Sequence, residues 1–98
     1  MNEYNSVLID KNDNVVTTLK DVELGKQLNA IGLESNIVVS EKISKGFKVA
    51  IKNINKGETI MKYGKNVGIA LFNIKVGDLV HIHNIRSNRG KELREENS

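Results

Sequence analysis

The chain has no cysteine, no proline and no tryptophan, and its aromatic residues number four: Tyr4, Phe47, Tyr63 and Phe72. Without cysteine there is no disulfide, no thiolate zinc site and no thiol nucleophile. So few rings supply a poor stacking platform for nucleic-acid bases. No apolar run approaches the ~18 residues that a membrane-spanning helix needs. The opening "MNEYNSVLIDKND" carries acids and no apolar core, which argues against a secretory signal, and a cytoplasmic setting is expected. Neither charge sign dominates: 15 basic and 12 acidic residues among 98 give a net +3. The densest basic group, between Arg86 and Arg94, is interrupted by Glu92, so nothing resembles a nucleic-acid arm. A chain of this length has room for one domain with a single modest core.

What is present reads as short strands. Val7 to Ile9, Val15 to Leu19, Ile37 to Val39, Val49 to Ile51, Thr59 to Met61, Gly68 to Leu71 and Leu79 to Ile85 are rich in β-branched residues and bounded by Gly and Asn. A helical turn has a place only within Lys20 to Leu33, where Gly25 and Gly32 keep it short. Residues 88–98 read as a polar tail after a domain spanning 1–87. The fold class expected is mainly β, with little helix.

One device recurs. "DVELGKQL" (21–28), "NINKGETI" (53–60) and "NIKVGDLV" (73–80) share a pattern: Asp or Asn, aliphatic, two variable residues, Gly, a charged residue, one variable residue, aliphatic. The first residue can cap a turn with its side chain, and the glycine can take a positive φ before a strand resumes. Irregular spacing of the copies argues against a solenoid. Glu58 and Asp78 hold equivalent places in the pattern, which favours a structural role for both.

The last copy runs into "HIHN", which holds both histidines of the chain. In a strand, residues two apart share a face, about 7 Å apart along the chain, so His81 and His83 would converge on one ion or one carboxylate. By itself His-x-His is a weak signal, because a divalent ion takes more ligands than two. Asp78 falls on the opposite face of such a strand and is a poorer third ligand than its closeness suggests.

Four fragments in order carry a resemblance: Gly46-Phe47-Lys48-Val49-Ala50, Lys56-Gly57-Glu58, Lys62-Tyr63-Gly64, and Gly77 to Asn84. Together they resemble the SAF-type domain of the altronate and galactarate dehydratase family, which also includes sulfolactate sulfo-lyase. The similarity covers residues 5–87. It implies a β-clip fold, a long bent hairpin with small sheets pinched together. It also implies the small-subunit form of a sugar-acid dehydratase or related lyase, working with a large catalytic subunit. The family's usual histidine after the first glycine is Phe47 here.

On that resemblance His81 and His83 are the expected catalytic residues and the candidate metal ligands, shared with the partner chain. Lys62 can pair with a sugar-acid carboxylate, Tyr63 can donate from its hydroxyl, and Gly64 permits close backbone approach. Lys48 and Asn84 complete the expected substrate-binding set. A divalent metal (iron, manganese or magnesium) is expected, bound mainly by the partner subunit, as are the principal acid–base groups. The partners expected are that large subunit and a small hydroxy-acid or sugar-acid substrate, with no nucleic acid and no membrane. The alternative is a free-standing, non-catalytic SAF-like module that binds sugars, anions or another protein.

Overall fold

The computed structural model describes residues 3–87, and they contain ten short strands and no helix. In chain order these are β1 (Ser6–Val7), β2 (Val15–Thr18), β3 (Gln27–Leu28), β4 (Ala30–Ile31), β5 (Ile37–Val38), β6 (Lys48–Ala50), β7 (Thr59–Lys62), β8 (Lys65–Ala70), β9 (Leu79–Val80) and β10 (Ile85–Ser87). A five-stranded sheet has the order β4-β1-β2-β6-β9, a three-stranded sheet the order β10-β8-β7, and β3 pairs with β5. All pairings are antiparallel except β1 with β4. The mainly β class of short strands is therefore as expected. The helical turn allowed for within Lys20 to Leu33 is absent; a tight turn at 23–26 and strands β3 and β4 stand there instead. The 88–98 tail lies outside the described residues.

The turn-into-strand device occurs four times, not three. The fourth copy is "KISKGFKV" at 42–49, which begins with Lys and so hides the Asp/Asn signature. In each copy a turn closes across the glycine. Lys26, Phe47, Glu58 and Asp78 donate their amides to the carbonyls of Glu23, Ser44, Asn55 and Lys75, at 2.9–3.1 Å. The glycines have φ of 82°, 88°, 91° and 94°, as a type II turn requires at its third residue. In two copies the sixth residue also caps the turn it closes. Glu58 Oε1 accepts the Asn55 amide at 2.6 Å, and Asp78 Oδ2 accepts that of Lys75 at 3.0 Å.

The copies pair two by two. Val22 bridges Ile43, and Ile54 bridges Ile74, each through reciprocal backbone bonds. The first residue of a copy caps its mate's turn and not its own, contrary to the simplest reading of the sequence. Asn53 Oδ1 accepts from the Val76 amide, Asn73 Oδ1 from that of Lys56, and Asp21 Oδ1 from that of Lys45. Lys42, the remaining first residue, has no acceptor to offer, and its ammonium stands 3.9 Å from the Glu23 carboxylate.

Two buried clusters replace the single core expected. One contains Val15, Ala50, Ile54, Ile60, Ile74, Val80 and Ile85; the other contains Val16, Val22, Leu28, Ile37, Ile43 and Val49. Neighbours along one strand belong to different clusters: Val15 and Val16 on β2, Ala50 and Val49 on β6. Successive strand residues point to opposite faces, so the middle of the five-stranded sheet is covered on both. That is why these strands read as continuous apolar runs without polar alternation.

Candidate functional site

The strand expected over Leu79 to Ile85 breaks in the middle. β9 ends at Val80, β10 begins at Ile85, and His81-Ile82-His83-Asn84 forms a turn between them. The cause is Asn84, which is 8% exposed. Its Oδ1 accepts the His81 amide at 3.0 Å and its Nδ2 donates to the Leu79 carbonyl at 2.8 Å, so the side chain takes the place of a strand partner. The amides of Asn84 and Ile85 both donate to the His81 carbonyl. Side-chain amides that offer donor and acceptor together compete with the sheet ladder in this way. The strand geometry that would have set the two imidazoles on one face therefore does not apply.

Within the turn the two rings differ. His83 is exposed, whereas His81 is partly buried with its ring 4.6 Å from that of Phe47 and inclined by 33°. Phe47 packs in turn against the cluster around Val49. Phe47, which stands where the resemblance implies a histidine, thus provides an apolar wall beside the His81 ring. Asn84, expected among the substrate-binding residues, spends its carbonyl oxygen and one amide hydrogen on the turn itself.

Lys62-Tyr63-Gly64 lies at the end of the β7–β8 hairpin. Tyr63 and Gly64 have φ of 58° and 72°, a type I′ turn, which matches the twist of the flanking strands. Unlike a free hairpin, this one is clamped. The Asp13 carboxylate, 1% exposed, accepts the Tyr63 amide at 2.9 Å through Oδ2 and the Gly64 amide at 2.8 Å through Oδ1. Asn14 holds the irregularity after Ile60, accepting from the Met61 amide at 2.8 Å and donating to the Thr59 carbonyl at 2.9 Å. A Cβ on Gly64 would come 2.7 Å from Asp10 Oδ2, so the close approach that Gly64 permits is already taken by Asp10. The structural weight of Asp13 and Asn14 was not read from the sequence. The turn-forming cluster Asp10 to Asn14 was the available signal, but its partner lies 50 positions on.

Lys62 Nζ stands 4.8 Å from the centre of the Tyr63 ring, a cation–π contact. Lys48 is half-buried on β6, opposite Thr17 and Val80 in the sheet. Burial first, and the Lys62 ammonium second, lower its pKa from the ordinary lysine value. The fold thus brings Lys48 and Lys62 within electrostatic reach, two cations suited to an anion. Strand alternation puts Lys48 on the opposite face of β6 from Phe47 and Val49. The lysines and the stacked His81–Phe47 rings accordingly flank the same strand from two sides.

Among the described residues no group of three or more His, Asp or Glu side chains could hold a metal ion. His81 and His83 by themselves do not make a metal site, because a divalent ion needs further donors. Two open clefts, of about 690 and 630 Å³, are lined by residues between Glu3 and Asn36 and by none of the candidates. No helix among the described residues is long and apolar enough to cross a membrane. What the geometry offers is a small β domain with a turn held by Asn84 and carrying two imidazoles, and a pair of lysines on the other side of β6.

That class of domain has close relatives. Residues 4–88 match the altronate/galactarate dehydratase SAF domain. The chain is 37% identical over 82 residues to altronate dehydratase of Bacillus subtilis, covering 84% of this chain and 16% of that one. It is 34% identical over 76 residues to altronate dehydratase of Escherichia coli, covering 78% of this chain and 15% of that one. Against (2R)-sulfolactate sulfo-lyase subunit alpha of Chromohalobacter salexigens, identity is 31% over 88 residues, covering 85% of this chain and 94% of the relative. The chain belongs to the altronate/galactarate dehydratase SAF domain family. It spans about a sixth of the length of the altronate dehydratases and nearly all of the sulfo-lyase subunit.

Proposed function

We propose that this chain is the small, SAF-domain subunit of a hydroxy-acid lyase, and that its 81–84 turn enters a site completed by a large catalytic subunit. The observation that carries the reading is the turn itself. Of the four copies of the repeated device, only the last continues into a tight turn bearing imidazoles, and a buried asparagine is devoted to its shape. Lys48 and Lys62, across β6 from the stacked His81–Phe47 rings, form a separate cationic pair suited to a carboxylate or sulfonate.

In such a reaction the proton at C2 of a 2,3-dihydroxy acid is removed and the C3 hydroxyl leaves as water after protonation. An imidazole can fill either proton-transfer role near neutral pH. His81, held against Phe47, is suited to a fixed position; exposed His83 is suited to contact with the partner or the substrate. The described residues form no metal site of their own, and a divalent ion in this reaction would be held mainly by the partner subunit.

The test is to purify the chain with the large chain of the same organism that corresponds to the rest of altronate dehydratase. The complex is assayed on altronate, galactarate and sulfolactate. His81→Ala and His83→Ala are each expected to lower kcat about 100-fold or more, the usual scale of lost proton transfer. Unchanged turnover in both variants would sink the site assignment, and absence of any complex would leave the non-catalytic binding module as the better reading.

A further inference from the structure

The four structural copies act as controls for one another. Each is preceded by a two-residue bend: Leu19-Lys20, Ser40-Glu41, Ile51-Lys52 and Leu71-Phe72. The second position is charged in three of them and is Phe72 in the fourth, where the ring is 61% exposed. The fold does not require an aromatic there, since Lys20, Glu41 and Lys52 serve the same bend.

Phe72 does not stand alone. The Leu71 amide donates to the Asn84 carbonyl at 2.8 Å, joining this bend to the 81–84 turn. Leu71 is 37% exposed, and Ile82, between the two histidines at the turn, is 75% exposed. An aliphatic side chain and an aromatic ring thus lie in solvent on adjoining segments, at the turn already assigned to the shared site.

We infer that Leu71, Phe72 and Ile82 form the surface on which the large catalytic subunit docks, so that closing this contact brings the partner's groups up to His81 and His83. The inference rests on the functional reading above and names where its partner sits. The comparisons indicate the occupant: the domain occurs as about a sixth of the altronate dehydratases, and as a chain named subunit alpha in the sulfo-lyase. In both settings it works beside other protein. A partner that completes a site at His81 and His83 must also cover Ile82 between them. Exposed aromatic anchors are the side chains from which interfaces draw most of their affinity.

The experiment titrates the full chain against the large chain of the same organism, with Phe72→Lys, Ile82→Lys and Leu24→Lys compared with wild type. Leu24, 67% exposed in the first repeat, controls for loss of any surface leucine. Phe72→Lys and Ile82→Lys are each expected to weaken binding at least about 30-fold, the scale of an interface hot spot, with Leu24→Lys unchanged. Lys52 at the equivalent bend shows that lysine is compatible with the fold, and matched melting temperatures verify it. Wild-type affinity in both variants overturns the docking surface and leaves the functional reading standing. Failure of the wild type to bind the large chain overturns that reading itself. Self-association that Phe72→Lys abolishes would make the occupant a second copy, and the inference would be wrong.

Discussion

Lys48 is a half-buried cation facing a second cation, and the fold bears the cost of keeping it charged. Its pKa is lowered by burial first and by Lys62 second. Between the lowered value and the ordinary one, the unfolded chain binds more protons than the folded chain. Stability therefore rises with pH across that window, and charged Lys48 is a net cost below it. Lys48→Met is expected to raise the melting temperature at pH 7, with the advantage shrinking as pH approaches the ordinary lysine range. Lys62→Met should move the Lys48 titration upwards, followed by NMR at the side-chain terminus. A melting temperature lowered at pH 7 by Lys48→Met would show that its aliphatic stem matters more than its charge. Sequence motifs marked both lysines as candidates, but their mutual proximity depends on how the β7–β8 hairpin sits against β2 and the five-stranded sheet, which no local pattern encodes.

At the scale of the element, the repeated turn was legible wherever its first residue was Asp or Asn, and hidden at 42–49, where it is Lys. The aliphatic–x–x–Gly–x–x–aliphatic spacing of Ile43, Gly46 and Val49 was the signal that remained. The break after Val80 was illegible for a different reason. Val80 to Ile85 has strand composition, and only a buried side-chain amide at Asn84 overrides it. The copies also predict their own unequal tolerance. A Cβ at Gly57 meets nothing within 4 Å, whereas one at Gly77 would lie 2.4 Å from the Val38 carbonyl oxygen. Both positions have the positive φ that costs an L-residue about 1 kcal/mol. Gly57→Ala is therefore expected to destabilise by about that amount in urea unfolding. Gly77→Ala should cost about 2 kcal/mol more, through backbone displacement on the scale of overpacking. Equal losses would show that β5 can withdraw from the turn freely.

For the whole molecule, the decisive feature is the sheet core shared between two apolar clusters. Apolar runs such as Val15-Val16 and Val49-Ala50 were readable as strands, but a composition-based view gave one core, because it cannot tell which side of a strand faces which cluster. Since β2 and β6 belong to both, neither cluster can dissolve while the other stands. Ile43→Ala and Ile54→Ala, one in each cluster, are each expected to destabilise by about 2–5 kcal/mol. Both should shift a single unfolding transition, observed by circular dichroism and by the NMR signals of Phe47 and Ile85 together. Two separate transitions would show that the clusters are independent. The same sheet has a consequence for how the chain reaches this state. Its order joins β2 to β6 and β6 to β9 across long stretches of sequence. Chain-closure entropy must be lost before these pairings form, which places the domain among slow-folding topologies. With no proline in the sequence, that slowness is a matter of strand search alone and contains no isomerisation step.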